Sequence, residues 1–143
     1  MKYVKLLDIN DDIRTIRKIV FIDEQGESYE DEFSDLREDN FVHCCLYDGE
    51  KLVAYVRFSI KGEAAHIGRV AVLREYRSTG LGSRILALTE KEIFQSGANV
   101  AELNAQMQAQ GFYEKQGYVS YGEIFLEVGI PHKEMRKQVN INS

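Results

Sequence analysis

Residues 70–83 read Val70-Ala71-Val72-Leu73-Arg74-Glu75-Tyr76-Arg77-Ser78-Thr79-Gly80-Leu81-Gly82-Ser83: an apolar strand, a loop with two glycines, and a helix start. Backbone N–H groups at a helix N-terminus point outwards, and the helix dipole favours negative charge there. Glycine lets the backbone close around an oxyanion without a Cβ clash, and Arg77 adds a positive charge. The stretch therefore predicts a pyrophosphate-binding loop.

Two common phosphate loops do not match this stretch. The dinucleotide-binding fingerprint has a third glycine and an acidic residue on the next strand, and neither is present. The nucleoside-triphosphate loop ends in Gly-Lys-Ser or Gly-Lys-Thr, which is also absent. A helix entry that binds no ligand fits the same residues, so the loop alone leaves both interpretations open.

Alternating strands and helices are predicted around the loop. Apolar periodicity predicts strands over residues 3–7, 41–47, 51–60, 64–73, 100–104, 119–121 and 133–138, and helices from 13 to about 21–24, over 80–96 and over 108–116. The segment 122–131 is expected to connect the last two strands. A strand that follows a crossover helix pairs in parallel with its neighbour. The predicted fold class is therefore α/β, with a mixed sheet in a single domain over residues 1–143.

Several residues are expected to end or bend these elements. Asp11 or Asp12 is the expected N-cap of the first helix, and Gly97 the end of the helix over 80–96. Asp48-Gly49 predicts a hairpin turn, and Gly68 predicts a bulge or a close backbone approach in its strand.

Composition and charge disfavour several classes of protein. The chain has 143 residues and a net charge of -5, which disfavours general nucleic-acid binding. Cys44 and Cys45 are adjacent, so they point to opposite faces of a strand and are not expected to form a disulfide. The sequence shows no metal-ligand spacing, signal peptide or apolar run long enough for a membrane helix, and a cytoplasmic location is expected.

A second block, Gly111-Phe112-Tyr113-Glu114-Lys115-Gln116-Gly117-Tyr118, follows the loop. Together with Arg-x-x-Gly-x-Gly over residues 77–82, it resembles the GNAT N-acetyltransferases, although Tyr118 replaces the usual last phenylalanine of the block. Residues 21–26, 67–72, 103–106 and 125–132 resemble the small ElaA-like and YjcF-like subgroup, so the resemblance covers nearly the whole chain. It implies the GNAT fold, a mostly antiparallel central sheet flanked by helices.

The resemblance also implies an acyl-CoA-dependent N-acyltransferase in which an amine attacks acetyl-CoA directly. Its donor-binding positions correspond to Val70, Ala71, Val72, Arg77, Ser78, Thr79, Gly80, Leu81, Gly82, Ser83, Asn104 and Tyr113. Tyr113 matches the general acid that protonates the coenzyme A thiolate, and Asn104 matches a residue that holds a pantetheine amide. A core tyrosine and a strand-end cap are the structural alternatives for these two residues.

The acceptor side is less defined. Glu24, His66 and His132 are candidate substrate-side residues, and these three, Glu123 or a water are candidate bases. The acidic run over residues 23–39 either attracts a cationic amine or is a solvated loop. Basic residues are expected around the phosphate site, namely Arg69, Arg74, Arg77, Arg84 and Lys115.

Three functions remain open at this point. An active N-acetyltransferase would act on a small-molecule or peptide amine, and a homodimer is one expected assembly because family members often dimerise. An acyl-CoA-binding or sensing module without turnover would keep the loop and lack the general acid, but Tyr113 is present. A nucleotide-binding protein would need the lysine that this loop lacks.

Overall fold

The computed structural model describes residues 1–33 and 40–139. The chain forms two compact units, which we call the first unit (residues 1–59 and 69–89) and the second unit (residues 60–68 and 90 onwards). The expectation of a single domain over residues 1–143 remains a prediction.

The first unit contains an antiparallel sheet and the N-terminal helices. Three strands pair in the order β1 (Lys2–Leu6), β2 (Phe41–Asp48) and β3 (Lys51–Lys61). The part of β3 that belongs to the first unit ends at Ser59. The unit also holds α1 (Asp11–Arg17), a π-helical segment (Lys18–Glu24), α2 (Tyr29–Phe33), the end of β4 (Ala64–Val72), a 3₁₀ turn (Arg74–Tyr76) and the start of α3 (Leu81–Gln95). Its core includes the buried side chains of Ile13, Ile16, Cys44, Leu46 and Val56.

The second unit contains a mixed sheet. The first half of β4 pairs in parallel with β5 (Val100–Gln106), which confirms the predicted parallel strand. On its other side β5 pairs antiparallel with β7 (Ile130–Gln138), and β7 pairs antiparallel with β6 (Val119–Glu127), so the order is β4-β5-β7-β6. A 3₁₀ turn (Met107–Ala109) and α4 (Gln110–Lys115) connect β5 to β6.

The structure corrects three local predictions. Asn10 caps α1 in place of Asp11 or Asp12, since its side-chain oxygen accepts from the Ile13 N–H at 2.9 Å. The β2–β3 turn is Gly49-Glu50, one residue later than predicted, because Asp48 still pairs with Lys51. The strand irregularity expected at Gly68 is a left-handed backbone at Arg69 (φ 54°).

The prediction that residues 122–131 form a connection between the last two strands is wrong, because most of these residues are in strands. β6 continues to Glu127 and β7 begins at Ile130, and the register shifts between Tyr121 and Phe125. Ile124 and Leu126 are both exposed, so the segment has no buried face and lacks the apolar alternation that identifies a strand.

Replacing Val128 by asparagine is expected to stabilise the protein by about 1 kcal/mol. Val128 and Gly129 form the two-residue turn between β6 and β7, with φ values of 50° and 73°. A β-branched residue is strained at positive φ, whereas asparagine tolerates it, and half-exposed Val128 loses little apolar burial on replacement. Urea denaturation measures the change. A lower midpoint for Val128→Asn would contradict the expectation, and Val128→Ala is the control that keeps the strain.

Candidate active site

The predicted phosphate loop has the strand-loop-helix geometry expected from the sequence. β4 ends at Val72, and α3 begins at Leu81 after a loop in which Ser78 and Gly80 have φ values of 62° and 84°. The Thr79 hydroxyl donates to the Tyr76 carbonyl and closes the loop. Residues 77–80 are exposed, and the first N–H groups of a helix have no intrahelical acceptors. This end of α3 can therefore receive an anion.

Arg77 is anchored within the first unit. Its Nε donates to the Val72 carbonyl at 2.9 Å, and its Nη2 donates to Glu24 Oε1 at 2.5 Å. The guanidinium thus joins the end of β4 to the end of the π-helical segment. Glu24, a predicted substrate-side residue, is brought to this loop and is neutralised there by Arg77.

The basic residues expected around the phosphate have different environments. Arg74 and Arg84 are exposed in the first unit, and Lys115 is exposed in the second. Arg69 instead contacts two carboxylates of the acidic run, Glu27 and Glu32. Arg69 is therefore engaged by two carboxylates, with 23% of its side chain exposed, and its place around the phosphate stays a prediction.

The acidic run is not one solvated loop. Glu27 and Glu32 are buried, whereas Asp23, Glu30 and Asp31 are exposed. Glu24 is half-buried, and the other three acids of the run, Asp35, Glu38 and Asp39, lie outside the described residues. Two carboxylates of the run therefore serve the interior, and neither interpretation of the run predicted this.

The second unit holds Asn104 at the point where β5 loses its parallel register. The β4–β5 register covers Ala64–Ile67 with Val100–Leu103, while Asn104, Ala105 and Gln106 continue along β7. Asn104 Nδ2 donates to Glu127 Oε1 at 3.1 Å, so its amide oxygen remains available to accept. The amide nitrogen of Asn104 is therefore committed to the Glu127 carboxylate, and the amide oxygen is the atom that can accept from a ligand.

Tyr113 lies in α4 with 8% of its surface exposed. Its carbonyl accepts from the Tyr118 N–H at 3.0 Å, and the two rings meet edge-to-face with centroids 5.9 Å apart. Burial raises the pKa of Tyr113 to about 12. The phenol is therefore neutral at every physiological pH and can act as a hydrogen-bond donor.

Tyr118, the departure from the family block, ties this region together. Its hydroxyl donates to Glu90 Oε2 at 2.8 Å, and Lys137 Nζ donates to Glu90 Oε1 at 2.8 Å. Burial, followed by the nearby Glu90 charge, raises the pKa of Tyr118. A phenylalanine could not make this hydrogen bond, so the substitution adds a polar anchor beside Tyr113.

The two candidate histidines differ in environment. His66 is exposed on β4, with Nδ1 4.0 Å from Glu102 Oε1. His132 is buried, its Nδ1 lies 2.6 Å from the Ile130 carbonyl, and its Nε2 lies 3.5 Å from Glu127 Oε2. Because a carbonyl only accepts, Nδ1 carries a hydrogen.

Glu127 is the residue that sequence reasoning missed, since its carboxylate joins Asn104 to His132. Only the resemblance of residues 125–132 to a family segment could have pointed to it.

Glu123 is the last of the candidate bases named from the sequence. Glu123 is exposed on β6. Among residues 1–33 and 40–139, no group of three or more His, Cys, Asp or Glu side chains could hold a metal ion. In the same part of the chain, no helix is long and apolar enough to cross a membrane.

Comparison with known proteins identifies the family to which the chain belongs. Residues 13–139 match the family model described as an acetyltransferase (GNAT) domain. The chain therefore belongs to the GNAT acetyltransferase family, whose members use acyl-CoA donors and amine acceptors. YjcF of Bacillus subtilis, named an uncharacterized N-acetyltransferase, is 41% identical over 123 residues, which cover 85% of this chain and 87% of YjcF.

Solved structures confirm the predicted fold class. Escherichia coli ElaA is 27% identical, with a TM-score of 0.82 over 96% of this chain and 100% of ElaA. An aminoglycoside 6'-N-acetyltransferase complexed with coenzyme A has a TM-score of 0.80 over 98% of both chains, but at 17% identity it shows the fold alone. The resemblance to the ElaA-like and YjcF-like subgroup is thus confirmed.

Proposed function

We propose that this chain transfers an acetyl group from acetyl-CoA to a primary amine by direct attack in a ternary complex. The exposed loop between β4 and α3, with anchored Arg77, is the observation that carries the proposal. The donor-binding residues are those predicted from the sequence: Val70, Ala71, Val72, Arg77, Ser78, Thr79, Gly80, Leu81, Gly82, Ser83, Asn104 and Tyr113.

In the proposed reaction, the amine nitrogen forms a bond to the thioester carbonyl carbon, and the carbon–sulfur bond breaks. Backbone groups of Val70, Ala71 and Val72 hold the pantetheine arm and polarise the carbonyl oxygen. The sulfur leaves as a thiolate and accepts a proton, while the nitrogen loses one to a base or to water.

Tyr113 is the proposed donor to the departing sulfur. An ordinary thiol has a pKa of about 8.5, well below the value of about 12 that burial gives Tyr113. The phenol is therefore suited to stabilise the developing thiolate by a hydrogen bond and is not left as tyrosinate. The base or water that takes the proton lost by the amine nitrogen returns one proton to the sulfur, directly or through Tyr113, so that coenzyme A leaves as the thiol and Tyr113 ends neutral.

His132 is the candidate that we place on the acceptor side. Glu24 is committed to Arg77, and His66 is exposed beside Glu102. In His132, the Ile130 carbonyl holds Nδ1, which leaves Nε2 as the atom that faces Glu127. A basic limb of the kcat/KM profile that shifts in His132→Asn and stays in His66→Asn would support this choice.

Coenzyme A and acetyl-CoA are each expected to raise the Tm by about 5–10 °C at roughly one hundred times Kd, since a ligand that binds only the folded form stabilises it. ATP and NAD are expected to give no shift. Gly80→Ala should reduce the shift because alanine is strained at a φ of 84°.

Gly49→Ala is the matched control, because Gly49 also has positive φ and open space around its Cβ position but lies in a hairpin turn. No Tm shift at millimolar acetyl-CoA would overturn the proposed donor. A clear shift without release of thiol from any amine in a library would favour the acyl-CoA-sensing module.

A further inference from the structure

Arg69 adopts a strained backbone inside a strand. Among the described residues it is one of three non-glycine residues with positive φ, and the other two, Ser78 and Val128, lie in a loop and a turn. A left-handed residue in a strand re-aims the peptide group that follows it. That peptide group carries the N–H of Val70, the first of the proposed thioester-binding residues.

Two carboxylates and an aromatic ring hold the Arg69 side chain. Nε lies 3.3 Å from Glu32 Oε2, and Nη1 lies 3.6 Å from Glu27 Oε2. The guanidinium carbon lies 5.0 Å from the centroid of the Phe21 ring, within cation–π distance. The side chain is thus gripped from the π-helical segment, from the segment that follows it, and from α2.

A second arginine fixes Glu32 in turn. Arg17 Nε donates to Glu32 Oε1 at 2.6 Å, and Arg17 Nη2 donates to the Glu32 carbonyl at 2.7 Å. The Arg17 and Glu32 side chains are both fully buried. We call Arg17, Glu27, Glu32 and Arg69 the Arg69 ion cluster, and its two positive and two negative charges balance.

We infer that the Arg69 ion cluster positions the donor's thioester by fixing the left-handed backbone at Arg69 and hence the direction of the Val70 N–H. The inference rests on the proposed acetyl transfer, and it adds positioning residues that neither the family resemblance nor the motif blocks assign. Glu27 and Glu32 act through Arg69 and need not touch the donor.

The physical basis is a competition between backbone strain and charge pairing. Without its anchors, Arg69 would relax to the extended conformation that other residues of β4 adopt, because a positive φ costs energy for any residue with a Cβ. Relaxation would withdraw the half-buried Arg69 side chain from Glu32, which would leave a buried carboxylate with one arginine fewer. The Arg69 ion cluster therefore makes the left-handed conformation of Arg69 lower in free energy than the extended one.

The first test measures the backbone in the absence of donor. Backbone chemical shifts of Arg69 and Val70 report φ at this position, and a chain of 16.4 kDa is within reach of NMR. Glu32→Gln and Glu27→Gln are expected to move these shifts towards extended values. Unchanged left-handed shifts in both variants would overturn the inference. If Glu32→Gln does not fold, Glu27→Gln alone decides, since its longer contact makes it the milder change.

The second test measures the carbonyl itself, using acetyl-CoA labelled with ¹³C at the thioester carbonyl. In the wild-type protein the infrared band of the bound carbonyl is expected below that of free acetyl-CoA, because the Val70 N–H polarises it. Arg69→Ala is expected to return the band towards the free value and to lower kcat by about 30-fold, less than the loss of a whole oxyanion donor. Coenzyme A affinity should change by less than about threefold.

Arg69→Gly is the matched variant, because glycine occupies positive φ at no steric cost. It should retain more of the band shift and of kcat than Arg69→Ala, which a purely structural role of the side chain would not produce. Equal losses in the two variants, or a band and kcat unchanged in Arg69→Ala, would overturn the positioning role alone. A wild-type protein that shows no bound acetyl-CoA band would overturn the proposed function and the positioning role with it.

Discussion

Replacement of Arg17 by methionine is expected to lower the free energy of unfolding by about 3–5 kcal/mol, the range for removing one partner of a buried ion pair. The side chain is fully buried and makes both of its hydrogen bonds described above to Glu32, one to the carboxylate and one to the carbonyl. Methionine keeps an unbranched apolar stem, so the loss reports charge and hydrogen bonding more than an empty cavity. Urea denaturation of the purified protein measures it.

Arg14→Met is the control for this prediction, because Arg14 lies in the same helix and pairs with exposed Asp11 at 3.2 Å. Exposed ion pairs contribute little to stability, so this variant should stay close to the wild type. Similar decreases in the free energy of unfolding of both variants would show that α1 is destabilised by the loss of any arginine. The buried ion pair would then contribute no more than the exposed one.

A double variant separates the pair from its surroundings. Arg17→Met combined with Glu32→Leu should be less destabilising than the sum of the two single changes, with a coupling of at least about 1 kcal/mol. The double variant is not expected to reach wild-type stability, because Arg69 would keep only Glu27 as a carboxylate partner among the contacts of the Arg69 ion cluster. Full additivity would contradict the ion-pair interpretation.

Local signals predicted the positions of most elements. Apolar periodicity located α3, and Gly97 ends that helix with a φ of 95° as expected. The same signals located β2, β3 and β4 to within a residue or two. The parallel pairing of β5 followed from the crossover helix before it. These features depend on neighbours in sequence, which is why residues alone could predict them.

Features that depend on distant partners could not be predicted in this way. Glu27 and Glu32 look like their exposed neighbours in the acidic run, and only Arg17 and Arg69 on other elements distinguish them. Glu127 likewise gains its contacts only when the β6–β7 hairpin meets Asn104 on β5. Sequence spacing carries no record of such pairings, so the charged interior of the first unit became visible only in the structure.

The family resemblance supplied what local patterns could not. It identified the acetyltransferase family, which the family model and the relatives confirm. The individual site residues remain predictions. The structure adds their surroundings: Arg77 is held by Glu24, Asn104 by Glu127, and Tyr113 is packed against Tyr118.

Tyr113→Phe is expected to lower kcat by roughly 10²-fold, the low end for acid–base catalysis, with little change in donor affinity. Phenylalanine keeps the ring and its edge-to-face contact with Tyr118, so packing is retained and only the hydroxyl is lost. Release of free thiol from acetyl-CoA in the presence of an accepted amine measures kcat, and the Tm shift with coenzyme A measures donor binding. Tyr29→Phe is the control, since Tyr29 is exposed on α2.

The dependence of the free energy of unfolding on alkaline pH offers a second readout for Tyr113→Phe. Burial favours the neutral phenol in the folded protein, so its pKa is about 12 there, whereas an unfolded tyrosine ionises near about 10. The contribution of the buried neutral Tyr113 phenol to the free energy of unfolding is complete below pH about 10 and is lost as pH rises from about 10 to 12. Tyr113→Phe should therefore lose less stability than the wild type over this interval. An unchanged kcat together with a smaller alkaline loss would make Tyr113 a core tyrosine and remove it from the mechanism.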